Sequence, residues 1–202
     1  TSLEGLEKET LTPILLYHVL GQKVLSTQLP ADGMVTTLSS DQMMYLGYLN
    51  NNVVLINGLT KITGVDMEKN NGVVHMIDRT LVPPAGDVVD IAIAMADMGD
   101  DSEFTVLVSL LASDTYSDVT TALKAAENVT VFAPTDAAFG DISDVIATLT
   151  EDQIRKVLQY HAAPARVFSS DLVDGQVLPM LSGETVMVNK GTDMVSLTDK
   201  SG

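Results

Sequence analysis

In TEDQIRKVLQYH, residues 150–161, the apolar positions Ile154, Val157 and Leu158 and then His161 fall at i, i+3, i+4 and i+7, the stripe of a helix that buries one face. Thr150 followed by Gln153 is a capping box at its start. Near the N-terminus Leu11, Ile14, Leu15 and His18 repeat the stripe, with Pro13 tolerable only in the first turn of that helix. Both histidines are thereby placed on a buried helix face, near its C-terminal end. Between residues 53 and 83 the period changes to two: VVLING and TKITGVDMEKNNGVVHMIDRTLVP alternate and carry β-branched residues around Asn71-Gly72, a hairpin signal. Val73, His75 and Ile77 fall on one face of that strand and Val74, Met76 and Asp78 on the other, so a curled antiparallel sheet is expected. Further on, Phe104, Leu107, Val108 and Leu111 form one helical stripe and Val119, Leu123 and Ala126 a second. Asn128 then leads into the strand TVFAP, Pro134 ends it, and Thr135 caps a short helix with Asp136 at its positive end. The pattern is α+β: several short helices, then a sheet.

The chain also resembles itself. LLYHVLGQKVLSTQL at residues 15–29 aligns with LQYHAAPARVFSSDL at 158–172, so that Tyr17-His18 fall on Tyr160-His161, Val24 on Val167, Ser26 on Ser169 and Leu29 on Leu172, all 143 positions apart. Leu38-Ser39 match Leu181-Ser182 at the same offset, with a one-residue slip at the turns Asp32-Gly33 and Asp174-Gly175. Two copies of one unit are present, cut at different places. Residues 1–84 carry the later part of a first copy, residues 85–202 the earlier and middle part of a second, and the run Pro83-Pro84-Ala85-Gly86 between them reads as a linker.

Composition narrows the function. Of 202 residues 46% are hydrophobic, enough for a packed core, and 27 acidic against 11 basic residues give a net charge of −16 that repels phosphate backbones and anionic headgroups. Nucleic acid is not an expected partner. The acidic residues lie in short clusters such as Asp100, Asp101 and Glu103, without the spacing of a calcium loop. Cysteine is absent, which removes disulfides, zinc-thiolate sites and cysteine nucleophiles without fixing a compartment. No run approaches the roughly 18 apolar residues of a membrane span, so no insertion by this segment is expected. TSLEGLEKE at the start has no signal-peptide pattern and no initiator Met, as in a chain processed or excised from something longer.

TVFAPTDAAF (130–139), the two Tyr-His pairs and NNGVVHMIDRTLVPP (70–84) together resemble the fasciclin domain family, as its upstream, middle and downstream motifs. The resemblance covers nearly the whole chain. It implies a β-wedge or flattened barrel packed against several short helices, in two tandem copies. It further implies a secreted or cell-surface protein, extracellular or at the bacterial periplasm or outer surface, serving adhesion or scaffolding without catalysis. Partners would be extracellular proteins or glycans, with homotypic contacts or strand exchange as further modes. The first copy has no upstream motif and the second no downstream motif, so GVVHMIDRTLVPP is a candidate to complete the second copy's sheet, within a chain or between chains. The alternative is a longer chain of repeats. Integrin engagement does not carry over from animal relatives, because only Tyr17, His18, Tyr160 and His161 match the motif itself.

The motif residues Thr130, Phe132, Pro134, Thr135, Asp136, Phe139, Tyr17, His18, Tyr160, His161, Gly72, His75 and Asp78 are read mainly as structural. His18 and His161 are core histidines with backbone or hydroxyl partners; a metal would need more converging ligands than three scattered histidines provide. Thr135 and Asp136 suit a capped corner better than a nucleophile and base. A Ser-His-Asp triad stays open, without a GxSxG elbow to support it. Asp78 and Arg79 read as a local ion pair or a sheet-edge pair. Asn128-Val129-Thr130 matches the N-glycosylation sequon, as a glycan site or as a chance match. Met43, Met44, Met95 and Met98 suit either core packing or an adaptable groove for a hydrophobic ligand such as a carotenoid or lipid. No catalytic residue, cofactor or metal is assigned.

Overall fold

The computed structural model describes residues 7–30, 33–39, 42–49, 53–84, 86–99, 102–191 and 194–199; Asp32, Ala85, Asp100 and Asp101, named above, lie outside them. The chain divides into two compact units, residues 1–84 with 168–171 and residues 85–167 with 172–202.

Unit 1 opens with helix α1 (Lys8–Tyr17) and continues as a five-stranded antiparallel sheet, β1 (Gly33–Thr36), β2 (Met43–Leu49), β3 (Val53–Ile56), β4 (Thr60–Lys69) and β5 (Gly72–Ile77), in sequence order. Pro13 sits in the second turn of α1, deeper than expected. The carbonyl of Glu9 thereby loses its intrahelical donor, but Glu9 is exposed and water can replace it. The buried residue of α1 is Tyr17, outside the stripe; Leu11, Ile14 and His18 are half-buried and Leu15 is 56% exposed. Tyr17 packs with Met44, Leu46, Ile56 and Leu81 in the core of this unit.

The hairpin β4–β5 forms as expected, but Lys69 pairs with Gly72, so its loop is Asn70-Asn71. The left-handed Asn-Gly pair is instead Asn57 (φ 52°) and Gly58 (φ 70°), between β3 and β4. Val73, His75 and Ile77 are half-buried and Val74, Met76 and Asp78 exposed, following the alternation. Strand β5 pairs with β4 of its own unit. Residues 78–84 form neither helix nor strand.

Unit 2 begins with helices α2 (Val88–Ala96), α3 (Thr105–Leu111) and α4 (Ser117–Ala125), followed by strand β6 (Thr130–Val131). Then come α5 (Asp136–Asp141), α6 (Ser143–Ile146), α7 (Glu151–Tyr160) and strands β7 (Ala162–Ala163), β8 (Val177–Pro179), β9 (Thr185–Lys190) and β10 (Val195–Thr198). A two-stranded sheet joins β6 to β7 and a three-stranded one runs β10-β9-β8. The helical stripes bury Leu107 and Leu111 of α3 and Val119 and Leu123 of α4 around Tyr116, Leu158 and Ala162, whereas Ala126 lies past the end of α4 and is exposed. A second cluster, Ala163, Leu172, Leu178, Met180, Val186 and Val188, fills the space under the sheet. The class is α+β, and no closed barrel forms among the described residues; the sheets stay open.

Candidate functional site

The Tyr-His pairs end α1 and α7 in the same way. Tyr17 Oη donates to the Met43 carbonyl at 2.9 Å, and Tyr160 Oη to the Thr185 carbonyl at 3.2 Å. His18 Nδ1 lies 2.7 Å from the Ile14 carbonyl and His161 Nδ1 2.8 Å from that of Val157, one turn back in each helix. Each Nδ1 therefore carries the proton and leaves Nε2 as an acceptor. In unit 1 that acceptor takes the Leu81 N–H at 3.0 Å, tying the chain after β5 to α1. The Leu38 N–H reaches the Val19 carbonyl at 2.8 Å and the Leu181 N–H that of Ala162 at 2.7 Å, so the repeat extends to its hydrogen bonds. Tyr17 also accepts from Asn57 Nδ2 at 2.9 Å. Both histidines are half-buried, less enclosed than the helical stripe suggested. Burial raises the Tyr160 phenol above its ordinary range, helped by Asp199 and Glu184.

TVFAPTDAAF turns a strand into a helix. Thr130 Oγ1 donates to the Ala165 carbonyl at 2.7 Å and accepts from the Val167 N–H at 2.8 Å, and the Phe132 N–H donates to the His161 carbonyl at 2.8 Å. Phe132 packs on the sheet cluster and Phe139 on the helical one, on either side of Pro134. Thr135 accepts from the Ala138 N–H and caps α5. Asp136 does more than the sequence suggested. Its carboxylate accepts from Thr105 Oγ1 (2.6 Å), Thr105 N–H (3.1 Å) and Val106 N–H (2.9 Å), capping α3, whose own N-cap residue, Phe104, has a left-handed backbone and no polar side chain. Those bonds, the Thr105 hydroxyl first, hold the Asp136 carboxyl below the usual range. The signal in the sequence is an apolar residue where a cap belongs, which calls for a carboxylate from elsewhere.

A serine, an aspartate and a histidine do meet in unit 1. Ser26 donates both its N–H and its hydroxyl to Asp66, which sits at a β-bulge opposite His75 with φ 58°. The Asp66 N–H points at His75 Nδ1 (3.4 Å) and His75 Nε2 lies 2.9 Å from the Val24 carbonyl. The imidazole proton is thus on Nε2 and turned to the backbone, so the ring does not face the Ser26 hydroxyl, whose partner is the Asp66 carboxylate. The group braces the bulge against the loop after α1. The Ser26 hydroxyl, then its N–H and the nearby His75, lower the Asp66 carboxyl.

Asp78 accepts from the Lys61 N–H at 2.9 Å and closes the β4–β5 ladder; the partner is this amide, and no Asp78–Arg79 ion pair occurs among the described residues. Gly72 opens β5 with open space where a Cβ would stand. Asn128 is half-buried in a bend before β6. Of the methionines, Met44 is buried, while Met43, Met95 and Met98 are exposed by 44%, 37% and 58%. Met95 alone of these four lines a cavity of about 160 Å³ in unit 2, walled by Ala92, Phe104, Leu107, Leu123 and Val131 among others. No three His, Asp or Glu side chains converge as for a metal, and no helix is long and apolar enough to cross a membrane, among the described residues.

The chain is a member of the fasciclin domain family, whose domain model matches residues 1–83 and 102–201. It is 31% identical over 134 residues to the fasciclin-like arabinogalactan protein CTB11 of Cercospora beticola, covering 66% of this chain and 33% of that protein. It is 28% identical over 178 residues to human periostin, covering 87% of this chain and 19% of that protein. The chain therefore spans a third or less of these two relatives. A FAS1 domain pair from the insect cell adhesion molecule Fasciclin I is similar with a TM-score of 0.45 and 16% identity, over 96% of this chain and 72% of that one.

Proposed function

We propose that this chain is a non-enzymatic, extracellular or cell-surface adhesion and scaffold module that works by protein or glycan recognition. Unit 1 supplies a Tyr-His helix with its closing hairpin, and unit 2 an upstream corner with its Tyr-His helix, as parts of two successive fasciclin-like domains. The observation that carries this reading is that the family-motif side chains are spent on the frame. Thr130, Asp136, Tyr17, His18, Tyr160 and Asp78 each hold a backbone group. What such a frame offers a partner is its surface, and successive domains raise avidity through effective concentration. Homotypic contact and strand exchange between chains belong to the same reading. A surface-binding screen of the full chain against matrix proteins, glycans and itself tests it: saturable binding to at least one is expected, and binding to none contradicts it.

A second reading, capture of a hydrophobic small molecule, is favoured by the apolar cavity of unit 2. Its volume of about 160 Å³ is close to that of cavities that hold a benzene-sized guest. A carotenoid does not fit inside such a space, so a lipophile would have to be small or insert only one end. Native mass spectrometry of the purified chain separates the two readings: a co-purifying lipophile supports the second.

A further inference from the structure

We infer that the apolar cavity of unit 2 is a binding site for a compact aromatic guest of a single ring, with Met95 and Phe104 as the side chains that select it. This rests on the hydrophobic-capture reading above and takes the small guest over the end of a long one.

The walls come from α2, α3, α4, strand β6 and Ala133 just after it, all within residues 88–133. The floor is closed: Val89, Leu107, Leu111 and Leu123 are 4%, 3%, 6% and 4% exposed. The rim is open, because Ile91 and Met95 line the same space and are 47% and 37% exposed. None of the lining side chains carries a hydrogen-bond donor, so a carboxylate, sugar or peptide group entering here would lose its water without a partner. A volume of about 160 Å³ walled in this way suits one benzene-sized body.

Two wall residues favour a ring over an aliphatic guest of the same size. The Met95 thioether offers the sulfur contact that aromatic edges take, and Phe104 offers a second ring for an edge-to-face or offset contact. Phe104 is also held at φ 68°, a left-handed backbone that a bulky residue rarely adopts. The chain is fixed on both sides of it. Just before, the Glu103 N–H donates to the Met95 carbonyl at 3.2 Å; just after, the Asp136 carboxylate takes the Thr105 and Val106 N–H groups at 3.1 and 2.9 Å. One of these ties joins Phe104's neighbour directly to Met95, so the two selecting residues are positioned together before a guest arrives. Strain held in place by its surroundings in this way is characteristic of ligand sites. Lys124 of α4 bonds Asp87 and Asp90 at 3.2 and 2.9 Å and pins the start of α2, the helix that supplies the rim.

The test titrates the full chain, with 13C-labelled methyl groups, with benzene. Signals of Val89, Leu107, Leu111 and Leu123 should shift saturably, with a dissociation constant on the order of 1 mM. Those of Leu178 and Val188, buried in the sheet cluster, should stay in place. Met95→Leu keeps the bulk and removes the thioether, and should weaken binding roughly 2- to 10-fold. Ala92→Leu fills the space from a wall position that is 9% exposed and should remove the saturable shifts. Circular dichroism checks its fold, and Ala133→Val fills the cavity from the strand side if Ala92→Leu does not fold. Benzene shifts that do not saturate, that reach Val188 equally, or that survive filling overturn the inference. Met95→Leu binding benzene as tightly as the parent chain overturns it too. Decanoic acid moving the cavity methyls where benzene does not overturns the single-ring guest and leaves the capture reading standing. Benzene bound as described, with no lipophile in the purified chain, supports the site and removes capture as its use.

Discussion

The two Tyr-His helices allow one substitution to be made twice in the same molecule. Tyr17→Phe removes a hydroxyl that makes two bonds of 2.9 Å, donating to the Met43 carbonyl and accepting from Asn57 Nδ2, beneath a ring that is 0% exposed. Each half-buried partner left without a bond costs about 1–2 kcal/mol, the lower part of the range for buried groups, so the expected loss is about 2–4 kcal/mol. Tyr160→Phe removes one bond of 3.2 Å from a half-buried ring to a half-buried residue, Thr185; the expected loss is about 1 kcal/mol or less. Urea unfolding followed separately at the amide of Leu46 for unit 1 and of Val188 for unit 2 resolves the two, even if the units unfold in separate steps. With a slope of about 2 kcal/mol per molar urea, the unit 1 midpoint should fall by about 1–2 M for Tyr17→Phe. The unit 2 midpoint should fall by about 0.5 M or less for Tyr160→Phe. If Tyr160→Phe costs as much as Tyr17→Phe, the contact to Asn57 has no energetic weight and the reasoning fails.

Asp136→Ala should fray the start of α3, so that the amides of Thr105 and Val106 exchange faster with solvent, with a smaller effect on α5, whose first turn it also occupies; Thr135→Ala should fray α5 and leave α3 in place, at about 1 kcal/mol for a lost cap. Protection at Thr105 unchanged by Asp136→Ala would contradict the cross-capping. Asp66, Asp90 and Asp136 all have carboxyls lowered from 3.8 by hydrogen bonds, from Ser26, Lys124 and Thr105 first in each case. Groups depressed on folding add stability that is present above about 3.8 and is lost as pH falls through their folded values. Urea midpoints should thus be flat near neutrality and drop below about pH 3.8, with Asp66→Asn flattening the drop for unit 1; a decline that begins well above pH 3.8 would contradict this.

Local chemistry carried far in the sequence. The capping box of Thr150 and Gln153, the Thr135 cap, the alternation along β5 and the helical stripes of α3 and α4 depend on neighbours a few residues apart, and each is present in the structure. The repeat added the pairing of α1 with α7, down to shared hydrogen bonds. What the sequence hid lies at long range. Tyr17 meets Asn57, Asp136 meets Thr105 and Ser26 meets Asp66 across 30 or more positions, and no period in a short window encodes such meetings. One turn assignment was displaced by a residue for a related reason. Asn71-Gly72 and Asn57-Gly58 carry the same local signal, and strand register decided that the second is the left-handed pair. Leu15 was grouped with the buried stripe because its spacing fits; its exposure depends on what packs against the helix, which spacing does not report.

The proposed activity is recognition by a folded surface without catalysis. Its most direct measurement coats beads or plates with the full chain and counts retained matrix ligands or cells against the same coat denatured in place. Retention by the native coat well above the denatured one, saturable and competed by soluble chain, is the predicted result. Equal retention on both coats would contradict the claim.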